Sequence, residues 1–204
     1  MNNPLRSFAV VATVALSTGL ACPLAAQWGL GLDMQRSAYG GGSKDTSSGG
    51  PGGSFRPAYS QGVTVRLERR LGRVTVGLGA RYVRAAIGLD AEDIFIGLRG
   101  KFAAFEAIPE LRVRIARSKR GPALELYGGA VIGVWAFEDL GARAVPGATA
   151  GVAGEFPVFD RLTVSLRIGG SVLRSVFRDG ELPPELVIKT MRRSEISLGL
   201  RYGR

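Results

Sequence analysis

Histidine is missing from all 204 residues, and cysteine occurs once, at Cys22. Without an imidazole there is no Ser-His-Asp triad, no histidine general base and no histidine-ligated zinc. A lone cysteine excludes an internal disulfide and a Cys-x-x-Cys site. Phosphate loops are missing as well. Gly100-Lys101 is followed by Phe102 rather than Ser or Thr, and Gly77-Leu78-Gly79 lacks a third glycine and opens no helix. Acidic residues are the minority, 17 against 27 lysines and arginines, a formal charge of +10. That excess points to an anionic partner, either nucleic acid or a phosphorylated surface.

Long apolar runs are also scarce, and the clearest lies at the N-terminus. Arg6 supplies one positive charge, Phe8–Leu16 (FAVVATVAL) forms a run of small apolar residues, and Gly19 and Pro23 break any helix before Leu24-Ala25-Ala26. This is the layout of a secretory signal peptide over residues 1–26. A retained anchor would need about 20 apolar residues in a row, and Gly19 stands where a lipoprotein signal ending at Cys22 would want Leu. Export makes a genomic nucleic-acid target improbable, so the expected anionic partner is an envelope component.

Residues 27–204 show alternation with period 2 and no convincing period of 3.6. Val63, Val65 and Leu67 share one face, and Val74, Val76, Leu78, Ala80 and Tyr82 share another after the Leu71-Gly72 turn. The same pattern sets Leu162, Val164, Leu166 and Ile168, and then Ile196, Leu198, Leu200 and Tyr202, against polar neighbours. Less regular strands are expected near Trp28–Arg36, Ala103–Arg117, Pro122–Trp135 and Gly147–Phe156, making eight of about 10 residues each, enough for tilted membrane strands. Long connections (Ala38–Ser60, Arg84–Phe102, Arg174–Arg193) and the medium Glu138–Pro146 alternate with tight ones, the rhythm of an up-and-down barrel. Ile94–Lys101 (IFIGLRGK) also reads as strand and is assigned to the second outer loop, protruding above the membrane; counted alone in the wall it would make nine strands and spoil the even number such barrels prefer, and a ten-stranded barrel stays open. Pro109 calls for a bulge, or for a strand that begins at Glu110.

The polar face carries Gly77, Gly79, Gly129, Gly133, Gly169 and Gly199. Glycines exposed on a strand only weaken it, whereas inside a narrow barrel they leave room for long neighbours. That face also holds Arg66, Arg81, Arg112, Arg114, Arg167 and Arg201 beside Asp33, Glu68, Glu106, Glu110, Glu125 and Glu195. Equal numbers of the two signs are what a closed interior network of paired charges requires, and these twelve are the candidate site. Trp28, Tyr82, Phe105, Trp135, Phe156 and Tyr202 stand near strand ends, as in interfacial girdles. The surplus positives fall at the short turns (Arg69, Arg70, Arg73, Arg117, Lys119, Arg120, Arg161) and in or beside the long loops (Arg56, Arg84, Arg99, Lys101, Arg174, Arg178, Lys189, Arg192, Arg193).

The segment Phe156–Arg167 (FPVFDRLTVSLR) and the closing strand Glu195–Tyr202 (EISLGLRY) resemble the small outer-membrane β-barrel family of Gram-negative bacteria, of the kind formed by OmpA-type transmembrane domains. Tyr202 is followed by Gly203 and Arg204, a departure from that family's usual terminal aromatic. The resemblance implies an all-β, single antiparallel up-and-down transmembrane barrel in the outer membrane, monomeric, delivered by the outer-membrane assembly machinery. Its expected role is non-enzymatic, with a charge-filled interior and long loops that contact lipopolysaccharide or extracellular partners. No cofactor, metal or catalytic residue is expected, since Ser165, Ser171 and Ser197 show no base beside them. Two alternatives remain at this level: a small porin-like pore favouring anions, and a soluble periplasmic ligand-binding barrel with its apolar face inward.

Overall fold

The computed structural model describes residues 28–40, 43–45, 54–91, 94–118, 121–137, 141–176, 186–188 and 190–203. The export signal expected over 1–26 lies outside these residues, as do Lys119, Arg120, Arg178 and Lys189 and the side chains of Arg56, Arg99 and Lys101. The strands are β1 (Trp28–Gly40), β2 (Ser43–Asp45), β3 (Ser54–Leu71), β4 (Val74–Ala91), β5 (Ile94–Arg117), β6 (Ala123–Phe137), β7 (Gly141–Phe159), β8 (Leu162–Leu173), β9 (Leu186–Ile188) and β10 (Met191–Gly203). Eight of them close a barrel in the order β1-β10-β8-β7-β6-β5-β4-β3, every neighbour antiparallel, while β2 and β9 pair separately.

Each barrel strand exposes one face and buries the other, because a pleated strand sends successive side chains to opposite sides. The apolar face points outward: Leu32, Met34, Leu78, Leu111, Ile132, Ile168 and Leu198 are each more than half exposed. The soluble alternative required the opposite sense, with the apolar set inside. A wall of this kind costs free energy in water and none in hydrocarbon. Closure also satisfies every strand edge, the condition for crossing a bilayer with strands.

Both chain ends of the barrel and its three tight turns lie at one end. The β3–β4 turn spans Gly72-Arg73, with Gly72 at φ 66°, a left-handed conformation in which a Cβ is strained. At the other end the strands run further than alternation indicated. The Ile94–Lys101 segment continues β5 and pairs with β4 from Ile94↔Ala91 to Leu98↔Ile87, so the second outer loop is a projecting hairpin joined by residues 92–93. A bulge at Ala86/Ile87 interrupts the β4–β5 ladder, and another at Ala58/Gln61 interrupts the β3–β4 ladder, beyond which β3 continues beside the same extension from Ala58↔Ala86 to Ser54↔Asp90.

Pro109 does not begin a strand. β5 runs straight through it, paired with Leu78 on the β4 side, while the ladder to β6 lapses between Ala107↔Ile132 and Glu110↔Gly129. The register is the same on both sides of that gap, so the missing N–H of Pro109 interrupts the β5–β6 ladder without a bulge, and the one bulge in this ladder lies lower, at Arg114/Ala116.

Candidate functional site: a lumen of interlocked charges

The lumen is built from the inward positions of all eight strands. All twelve charged residues of the candidate site occupy such positions, and each is buried apart from small exposed parts of Arg114 and Arg201. Three tiers can be followed down the barrel from the long-loop end. In the first, Arg193 donates from Nη1 to both carboxylate oxygens of Glu106 at 2.8 and 2.9 Å. Arg81 donates to Glu106 at 3.3 Å and grips Glu195 with Nη1 and Nη2 at 3.0 and 3.1 Å. In the second, Arg66 donates from Nε to Asp33 at 2.5 Å, and Glu110 accepts from Arg167 at 2.5 Å and from Arg66 at 3.4 Å.

The third tier lines the short-turn mouth. Glu68 accepts from Arg201 and is ion-paired with Arg112. Glu125 faces Arg114 at 3.3 Å and Arg70 at 3.5 Å, and Glu155 faces Arg70 at 3.2 Å and Arg201. Arg112 joins this tier to the second through Glu110, 3.5 Å away, while Arg81 of the first tier also donates to Thr64 at 3.4 Å, which in turn donates to Gln35 at 3.3 Å. The second and third tiers therefore form one connected network and not separate pairs, and the first is a network of its own in which Arg81 and Arg193 share Glu106 and Glu195. Burying so many ions is tolerable only when every one has partners, because an unpaired charge in such surroundings costs several kcal/mol, on the order of 3–5.

Above the network the lumen changes character. Tyr39, Val83, Val131, Trp135, Leu173 and Met191 belong to an apolar cluster that fills the long-loop end, with Trp135 fully buried and the Tyr39 ring edge-on to it at 5.8 Å and 88°. Arg143 lies at the same end, its Nη1 donating to the Val176 carbonyl at 2.5 Å. Among the described residues no group of three side chains suited to holding a metal ion occurs.

Among solved structures the chain is similar to Neisserial surface protein A (NspA), at 14% identity over 87% of this chain and 97% of that one, with a TM-score of 0.51. It is also similar to Ail, the attachment invasion locus protein of Yersinia pestis, at 12% identity over 87% and 99% of the two chains, with a TM-score of 0.41. The chain shares with the Neisserial surface protein the fold of a small closed antiparallel β-barrel. No protein-family model and no curated protein matches its sequence.

Six residues of this barrel were not read from the sequence correctly. Arg193, assigned to a long loop, is 1% exposed and lies at the centre of the first tier, because β10 already begins at Met191. Glu155 was omitted, although alternation with the outward Phe156 marks it as inward. Arg70, assigned to a turn, reaches into the third tier, and Arg143 joins the lumen because β7 starts at Gly141. The lumen thus holds two more guanidinium groups than carboxylates among the described residues. Trp135 is no girdle residue: it shares the inward parity of Tyr127 and Gly133, whereas Tyr82, Phe105, Phe156 and Tyr202 do face outward. Ser165 does have a carboxylate beside it, donating to Asp33 at 3.3 Å; Arg66 holds that carboxylate's other oxygen, so it is no free base.

Two inward glycines have a specific task. Tyr127 lies in register with Gly151, which is in register with Gly169, and a Cβ at Gly169 would run into the Tyr127 hydroxyl and the Ala150 carbonyl. The ring lies across this bare patch and carries the Arg167 guanidinium 4.0 Å above its centroid. Gly169→Ala is expected to cost about 1–3 kcal/mol, the usual range for overpacking a filled interior. The check is the temperature at which the folded, fast-running band on an unboiled gel converts to the unfolded one; an unchanged temperature would refute the slot.

Proposed function

We propose that this protein is a non-enzymatic component of the bacterial outer membrane that crosses it as a sealed barrel and meets lipopolysaccharide through arginines at its long-loop end. One observation carries the reading: an apolar outer wall surrounds a lumen occupied along its length by paired charges and closed by the Trp135 cluster. Eight strands leave room inside for side chains and little else. Ser165 and Ser171 are held on Asp33 and Arg193 in that filled lumen, so neither is presented to a substrate.

Above the apolar belt the outer wall turns basic. Arg36, Gln61 and Arg84 are in register across β1, β3 and β4, all exposed, next to Met34, Val63 and Tyr82. Arg174 and Arg192 are exposed at the same end. Guanidinium groups at this depth suit the phosphates of lipopolysaccharide, which they can engage in bidentate fashion.

The reading is tested by fractionating the producing cells and comparing boiled and unboiled samples of the washed outer membrane. A band there whose mobility changes on boiling is the expected result, and a soluble periplasmic band would refute it. Changing Arg36 and Arg84 together to Gln is expected to weaken lipopolysaccharide binding several-fold, since exposed ion pairs contribute about 0.2–1 kcal/mol each. Binding that the double variant leaves unaltered would remove the collar from the proposal.

A further inference from the structure

Among the described residues, each of the three tight turns at the opposite end presents one exposed arginine: Arg73 on the β3–β4 turn, Arg117 before the β5–β6 turn and Arg161 on the β7–β8 turn. The backbone holds these places firmly. Arg114 N–H donates to the Arg73 carbonyl at 2.9 Å, Gly203 N–H to the Arg161 carbonyl at 3.0 Å, and Ser118 N–H to the Pro122 carbonyl at 3.0 Å. None of the three arginines has an acidic partner among the described residues, because the carboxylates of the mouth, Glu68, Glu125 and Glu155, are taken by Arg70, Arg112, Arg114 and Arg201. Asp160 is the exposed acid at these turns among the described residues.

Two positions before each of these arginines stands a large, exposed apolar residue. Leu71 is 50% exposed, Ile115 52% and Phe159 70%. Tyr202 is exposed at the same rim, and Arg69 lies over the Trp28 ring at 5.8 Å. A basic group facing only water would have no use for exposed Leu, Ile and Phe beside it, while an interface has use for both, placing cations at headgroup depth and apolar groups just below.

We infer that the short-turn rim is a second lipid-binding surface, whose Arg73, Arg117 and Arg161 take the phosphates of anionic diacyl phospholipids while Leu71, Ile115 and Phe159 lie against their chains. This rests on the reading of the barrel as membrane-spanning. Lipid fits better than a polyanion outside the membrane such as the cell-wall polymer, because tight turns flanked by apolar side chains carry the arginines no further than headgroup depth.

The test uses the protein extracted folded from the producing cells into detergent, with equal amounts of phosphatidylglycerol and phosphatidylcholine of identical chains, and counts the lipids retained by native mass spectrometry. Phosphatidylglycerol is expected to be retained about tenfold over phosphatidylcholine, as three interfacial arginines near an anionic surface allow. The Arg73→Gln, Arg117→Gln, Arg161→Gln triple variant should lose that preference and keep its heat-modifiable band, whereas the Arg36→Gln, Arg84→Gln variant should retain it. Equal retention by the unaltered protein would overturn the inference, and so would a preference that survives the triple variant. Capture of the protein by purified cell-wall sacculi through these same arginines, with both lipids retained equally, would overturn it in favour of the polymer. Insertion into pure phosphatidylcholine vesicles, read by the boiling shift, distinguishes this failure from failure of the membrane-spanning reading itself.

Discussion

Replacing Glu110 with Leu is expected to lower the unfolding free energy by about 3–5 kcal/mol, the cost of leaving a buried ion without its partner. Glu110 faces three guanidinium groups, those of Arg66, Arg112 and Arg167. Their losses differ. Arg66 keeps Asp33, and Arg112 keeps Glu68. Arg167 keeps only the face of Tyr127: its Nε and Nη1 make no hydrogen bond among the described residues, and its ion pair is with Glu110. The double variant Glu110→Leu, Arg167→Met should therefore recover most of the loss, because removing both members of a buried pair leaves no stranded charge. Urea unfolding in detergent would measure both variants. A single variant within about 1 kcal/mol of the unaltered protein would mean that water screens this tier, and the network would then not be holding the barrel together.

Trp135→Ala is expected to cost a similar amount, about 3–5 kcal/mol, as truncation of a fully buried tryptophan does. Its second effect is the more informative. Trp135 closes the long-loop end of the lumen with Tyr39, Val83 and Leu173, so its loss opens a void above the first charged tier. The unaltered protein should be silent in planar bilayers, and the variant should show brief openings. Since the lumen has more guanidinium groups than carboxylates, those openings should favour anions over cations. Trp135→Phe should restore the seal. Stable conductance from the unaltered protein would refute the sealed barrel and favour the pore.

Much of this architecture was legible because a barrel wall imposes one simple rule on its strands. Val63–Leu67 and Val74–Tyr82 alternate without interruption, and the tight turn between them sets their pairing, Leu71↔Val74 onward. The glycines gave the sense of the wall, since Gly79, Gly133 and Gly199 leave room for Arg66, Glu106 and Asp33. Errors collected where alternation weakens at the strand ends. Arg193 precedes the regular part of β10 by two residues, and Arg143 stands four before the point at which β7 was expected to begin. Trp135 and Glu155 are different cases. Their parity was available: Trp135 reads as an interfacial aromatic because it stands near a strand end, whereas Glu155 lies within the expected Gly147–Phe156 strand and was left out of its polar face.

The sequence by itself therefore determined an all-β chain whose strands have one apolar and one polar face, because side-chain period is a local property of the pleat. It also determined which mechanisms are closed, since a residue type that does not occur cannot act. Only the tertiary structure decided that Glu106 binds Arg193, that Arg201 and Arg112 meet at Glu68, and that Tyr127 lies over Gly151 and Gly169. Those contacts join residues as many as 133 positions apart. They depend on the register and stagger with which eight strands close, and a slip of one residue in any strand would exchange its faces while leaving its own pattern unchanged.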